Sequence, residues 1–137
     1  MIFIDTNVVS EIMRPEPDSA AMTWLKRNED ALALSTIVIA EISFGIECIR
    51  PAERSHRLEQ TFRSLRRRLD DRIFYFDEIS ALAYGDFCGR RKLNGEPVAI
   101  TDGMIAAVSL RHKSSLATRN TKHFLHSGLR LINPWTD

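Results

Sequence analysis

The chain has 137 residues, 44% of them hydrophobic and 27% charged, with a formal net charge of +1. That is the length of one domain with apolar material enough for a core, and it excludes both wholesale disorder and a globally basic nucleic-acid binder. No apolar run approaches the ~20 residues of a membrane span. Met1-Ile2-Phe3-Ile4-Asp5 meets an acid with no basic region before it, so no signal peptide is expected.

Ile2 to Ile4 reads as a buried strand that runs into the capping residues Asp5-Thr6-Asn7 and a helix from Val8 to Met13. Pro15 and Pro17 break the chain, and Ser19 to Arg27 reads as a second helix carrying Trp24 and Leu25. Leu32 to Leu34 is a second strand. Ser35-Thr36 then caps a helix from Ile37 to Ile49 that is apolar around most of its circumference and is expected to be largely buried. Pro51 opens an arginine-rich helix, Ala52 to Leu69, followed by a strand over Arg72 to Phe76. A helix from Ile79 to Leu93 ends at Asn94-Gly95. Thr101-Asp102 starts another that reaches Arg111. Ser115 to Ala117 is a fourth strand, Thr121 to His126 a short helix and Leu129 to Ile132 a fifth strand. Strands alternating with helices predict an α/β fold, a parallel sheet of about five strands flanked by helices. Ligands of such sheets bind beyond the carboxyl ends of the strands.

Cys48 and Cys88 stand in no metal or redox spacing and read as buried thiols of a cytoplasmic protein. Arginines crowd positions 50 to 72, and Arg90-Arg91-Lys92 and Arg111-His112-Lys113 form two smaller clusters. Such clusters are as readily solvated helix faces as phosphate contacts.

Four residues fall where chemistry is expected. Asp5 leaves the end of the first strand, either as a metal ligand or as a helix N-cap. Glu41 shares a helical stripe with Ile37, Phe44 and Cys48, where an ionised carboxylate needs an arginine or a cation. Asp102 lies in the first turn of its helix, where the dipole favours an acid whatever its role. Asn120 follows the fourth strand and caps or coordinates. Together they are hard oxygen donors suited to Mg²⁺ or Mn²⁺, and a divalent ion would relieve the repulsion among the acids.

Ile-Asp-Thr-Asn-Val at 4–8, Ala-Glu at 40–41, Asp-Gly-Met-Ile-Ala-Ala at 102–107 and Ala-Thr-Arg-Asn-Thr at 117–121 resemble the ordered motifs of PIN-domain nucleases. More narrowly the set is similar to VapC-type toxins, and Asn133-Pro134-Trp135 looks like the ending of the FitB-like branch. The resemblance covers essentially all of 1–137 as one PIN domain. It implies a Mg²⁺- or Mn²⁺-dependent endoribonuclease and a homodimer or toxin–antitoxin hetero-oligomer with a small DNA-binding antitoxin. RNA is the implied substrate, and DNA is met only through that partner. Asp5, Glu41 and Asp102 match the family's three acidic metal positions. Asn120 matches the fourth, often Asp in relatives, and the next position where some relatives place an acid is His123.

The mechanism so implied is metal-assisted hydrolysis of an RNA phosphodiester, with Asp5, Asp102 and Glu41 holding the ion and Asn120 orienting a water. Thr6 and Thr118 are candidate hydroxyl partners, and Arg90, Arg91 and Lys92 candidate substrate contacts. Two other readings stand beside it. One is a binding module of the same fold without catalysis, which Asn120 leaves open. The other is a phosphotransferase-type α/β domain, against which Asn7 counts, since a second Asp is wanted there. Ile42, Ile46, Ile49, Leu58, Phe62 and Leu65 are expected to present apolar surface for self-association or antitoxin docking.

Overall fold

The computed structural model describes all of residues 1–137. Its strands are β1 (Ile2–Ile4), β2 (Leu32–Ser35), β3 (Ile73–Phe74), β4 (Ser115–Ala117) and β5 (Leu131–Ile132). Six helices connect or flank them: α1 (Thr6–Ile12), α2 (Ser19–Arg27), α3 (Thr36–Cys48), α4 (Glu53–Arg68), α5 (Glu78–Leu93) and α6 (Ile100–Arg111). The strands form one five-stranded sheet in the order β3-β2-β1-β4-β5, and every neighbouring pair is parallel.

Continuous apolar strands are what a sheet covered on both faces requires. Phe3, Ile4, Ala33, Leu34, Leu116 and Ala117 are all fully buried. From β1 the chain moves outward to β2 and β3 on one side, then returns to β4 and β5 on the other. The order therefore reverses between β1 and β4, and ligands of parallel sheets bind beyond the carboxyl ends of the strands at such a switch point. Asp5 and Thr118, the residues after β1 and β4, are placed there side by side. The Asp5 N–H donating to the Ala117 carbonyl at 3.1 Å locks the two strand ends together.

Helix α3 departs from the expected burial. Only Val38, Ile42 and Ile46 are buried on it, because it packs by one face against α1, α4 and α6. The stripe that carries Glu41 turns away from the core, leaving Cys48 exposed and Phe44 73% exposed. Cys88 is half-buried, so neither thiol is a core cysteine.

The expected docking surface is likewise largely consumed, with Ile49 alone left outside the core and its packed rim. Ile42, Ile46, Phe62 and Leu65 belong to the core, with Leu58 packed against it. Of the large apolar side chains that remain exposed, Phe44 alone lies on α3 or α4, and Tyr75, Ile79 and Leu82 gather around the start of α5. No helix is long and apolar enough to cross a membrane.

Glu11 shows how the C-terminal segment is held. It is buried in α1 at 4% exposure. Its carboxylate accepts from Trp135 Nε1 at 3.0 Å, from Arg14 Nη1 at 3.2 Å and from the Asp18 N–H at 3.4 Å. Arg119 lies over the same indole, its Cζ 5.0 Å from the ring centroid. Hydrogen bonds to a charged group contribute roughly 1.5–3 kcal/mol each. Glu11→Ala is therefore expected to lower the urea midpoint by the equivalent of about 2 kcal/mol, with Glu11→Gln milder because its amide oxygen still accepts from the indole.

Candidate metal centre

Asp5 is both a cap and a buried acid. Its backbone is extended (φ −84°, ψ 177°), and its Oδ1 accepts from the Val8 N–H at 3.0 Å. Capping occupies one carboxylate oxygen and does not exclude a second role for the other. At 4% exposure the carboxylate has lost its water. Burial pushes its pKa up to about 6, against donation from the Thr118 hydroxyl and the Val8 N–H, and the Asp102 charge adds to the rise. Thr118 is fully buried beside it and takes the Asn120 N–H on its Oγ1 at 3.0 Å, which fixes the turn leaving β4.

Asp102 enters from α6, in the first turn of that helix. Its neighbour Gly103 permits this. A Cβ at Gly103 would stand 2.5 Å from Cys88 Sγ and 2.9 Å from the Tyr84 ring, so only glycine lets α6 lie this close to α5. Asp102 Oδ2 in turn lies 3.2 Å from His123 Nδ1, an approach the sequence did not reveal because the two residues sit on separate elements.

Glu41 is reached through Thr6, whose Oγ1 donates to Glu41 Oε1 at 2.5 Å. None of the chain's ion pairs includes Glu41, so an arginine partner does not account for it. Asn120 precedes the 3-10 turn Thr121–Phe124, and its side chain makes no capping bond there. The structure thus couples Asp5 with Asp102, Asp102 with His123, and Thr6 with Glu41. No three acids, histidines or cysteines close into a preformed cage.

The predicted basic contacts divide. Arg90 is exposed and pairs with Asp86 at 2.8 Å; Lys92 is exposed. Arg91 is turned inward at 8% exposure, donating from Nε to the Glu96 carbonyl at 3.0 Å and from Nη1 to the Leu125 carbonyl at 2.7 Å. It braces two loops, so it is a structural residue and not the phosphate contact its sequence cluster suggests. Arg119, which the sequence reading passed over, is exposed and directly follows Thr118.

The donor set fits a hard divalent ion. Asp5, Glu41, Asp102 and Asn120 offer oxygen, and a desolvated aspartate beside a second aspartate is an arrangement that a cation stabilises. A parallel sheet with acids at its switch point and the motif order of the sequence lead to one family, whose PIN domain description matches residues 2–127. The chain belongs to the PIN family. The PIN domain is 36% identical to the VapC ribonuclease Y4jK of Sinorhizobium fredii, over 98% of both chains. It is also 36% identical to Toxin FitB of Neisseria gonorrhoeae, over 100% of both. A chain from the solved structure of FitAB bound to an IR36 DNA fragment superposes with a TM-score of 0.90 at 34% identity, covering 100% of this PIN domain and 97% of that chain.

Proposed function

We propose that the protein is the toxin of a toxin–antitoxin pair, a Mg²⁺- or Mn²⁺-dependent endoribonuclease restrained by a cognate DNA-binding antitoxin, with which it forms a homodimer-based or mixed complex in the cytoplasm. The observation that carries the nuclease reading is the Asp5 carboxylate, buried at 4% exposure within reach of the Asp102 charge, where burial and that charge both push its pKa up. Two acids in that position are unfavourable for the metal-free chain and favourable around a divalent ion. The names of the relatives support the toxin and ribonuclease readings, and a chain so similar in a DNA-bound complex supports the partner.

Asp5 and Asp102 would hold the ion directly, with Glu41 and Asn120 completing or hydrating its shell. When bound, such an ion supplies Lewis-acid chemistry at a phosphodiester and acidifies water. The chain's own part is to exclude water on the sheet side through β1 and β4 and to keep Glu41 aimed by the Thr6 hydroxyl. Exposed Arg119, Arg90 and Lys92 attract the RNA backbone.

Purified protein incubated with structured RNA tests this. Cleavage is expected with Mg²⁺ or Mn²⁺, is expected to stop in EDTA, and is expected to fall at least about 100-fold in Asp102→Asn. Activity that survives EDTA overturns the metal-dependent reading. A chain without activity that still binds its antitoxin tightly favours the non-catalytic binding module, for which the uncharged Asn120 is the specific observation.

A further inference from the structure

We infer that His123 is a nitrogen ligand of the ion held at Asp102, and that it shifts this centre's preference from Mg²⁺ toward first-row transition ions. The inference rests on the metal-dependent reading above and adds to it the identity of one ligand and its consequence for selectivity.

The geometry accommodates shared ligation of an ion as well as a direct hydrogen bond, because 3.2 Å is the long end of the N–H···O range. His123 Nδ1 stands 3.2 Å from Asp102 Oδ2. A charge-assisted N–H···O bond to a carboxylate is normally shorter, roughly 2.7–2.9 Å. Two donors on adjacent corners of an octahedral ion with bonds of about 2.1 Å stand about 3 Å apart. The pair therefore lies near the spacing of two atoms that share a cation. The main chain that carries the imidazole is held in the 3-10 turn after Asn120, where the His123 N–H donates to the Asn120 carbonyl at 3.0 Å. Side-chain exposures of 45% for His123 and 30% for Asp102 leave the space between them open to an incoming ion.

The chemistry of the donors gives the consequence. An all-oxygen set suits Mg²⁺, whereas imidazole favours the later divalent ions in the order Mn²⁺, Fe²⁺, Co²⁺, Ni²⁺. With Asn120 bringing no charge, the centre holds one acid fewer than a site with Asp there. It gains a neutral nitrogen instead, which weakens the purely electrostatic attraction that Mg²⁺ depends on.

The test uses the tag-free full chain titrated with MgCl₂ and with NiCl₂ by calorimetry, together with pulsed EPR of the Mn²⁺-loaded protein. Wild type is expected to show a directly coordinated ¹⁴N on Mn²⁺. His123→Gln keeps an N–H that can still donate to Asp102 but removes the imidazole, and is expected to lose the ¹⁴N signal and about 10–100-fold in Ni²⁺ affinity, with Mg²⁺ affinity nearly unchanged. His123→Asp is expected to lower the Ni²⁺-to-Mg²⁺ affinity ratio by raising Mg²⁺ affinity. Tight Mn²⁺ binding without a ¹⁴N coupling, or an unchanged Ni²⁺-to-Mg²⁺ ratio in His123→Gln, overturns the role of His123 and leaves the metal-dependent reading standing. Failure of wild type to bind any divalent ion overturns both.

Discussion

Asp5→Asn is expected to abolish RNA cleavage and, in the metal-free chain at neutral pH, to stabilise the fold. The unfolded chain ionises Asp5 near the ordinary 3.8, whereas the folded chain holds the proton up to about 6. Between those values the folded state binds more protons than the unfolded one, so the contribution of Asp5 to stability is full below about pH 3.8 and is lost as pH rises through 6. A difference of about two pKa units corresponds to about 3 kcal/mol by pH 7. Asparagine is isosteric, caps α1 as well as aspartate does, and has no charge to desolvate. In EDTA the variant should therefore exceed wild type by up to about 3 kcal/mol at pH 7 and match it near pH 4. Urea melts of the two proteins across that range measure the difference, in which every other titrating group cancels. Saturating Mn²⁺ should narrow or reverse the gap at pH 7, because an ion that binds only the folded wild type stabilises it by mass action. Equal stability of the two chains at pH 7 in EDTA would remove desolvation of Asp5 as the reason for a cation.

Asp5 is the part of the candidate site that the sequence reveals most directly. A strand ending in Asp-Thr-Asn before a helix is a local pattern, and both the cap and the position at the sheet's carboxyl edge follow from it. β4 was legible to the residue for the same kind of reason, a short apolar run bounded by polar turns. β3 was not. Arg72 to Phe76 has a strand's composition, but Arg72 belongs to a 3-10 turn and spends its Nε on the Leu32 carbonyl at 2.6 Å, while Tyr75 points to solvent at 75% exposure. Glu41 enters the candidate site for a reason other than the one its sequence pattern suggests. Its apolar stripe suggested burial, and the structure shows instead a half-exposed acid held by Thr6 from another helix. Hydrophobic periodicity identifies a face and not what covers it. The pairings Asp102–His123 and Glu11–Trp135 span 21 and 124 residues, and nothing local in a single sequence encodes such contacts.

Gly103→Ala is expected to unseat Asp102 without touching any candidate ligand. In a helix interior this change alone favours the helix by up to about 1 kcal/mol. Here the new methyl would lie 2.5 Å from Cys88 Sγ and 2.9 Å from the Tyr84 ring, and overpacking of this kind costs about 1–3 kcal/mol. Tyr84 yields little, since its ring also packs edge-on against Phe76 at 6.5 Å between centroids. The strain is relieved most easily by lifting the first turn of α6 from α5, which carries Asp102 away from Asp5. Misplacement of about 1 Å can cost about 100-fold in rate, so cleavage should fall at least tenfold while the fold loses only about 1 kcal/mol. Adding Cys88→Ala removes the closer clash and should recover part of the activity, the remaining deficit belonging to Tyr84. The single variants, the double variant and wild type form a cycle whose coupling energy measures the contact directly. Full activity in Gly103→Ala would show that α6 tolerates a methyl at its contact with α5 and that the motif's glycine has no part in placing the acid.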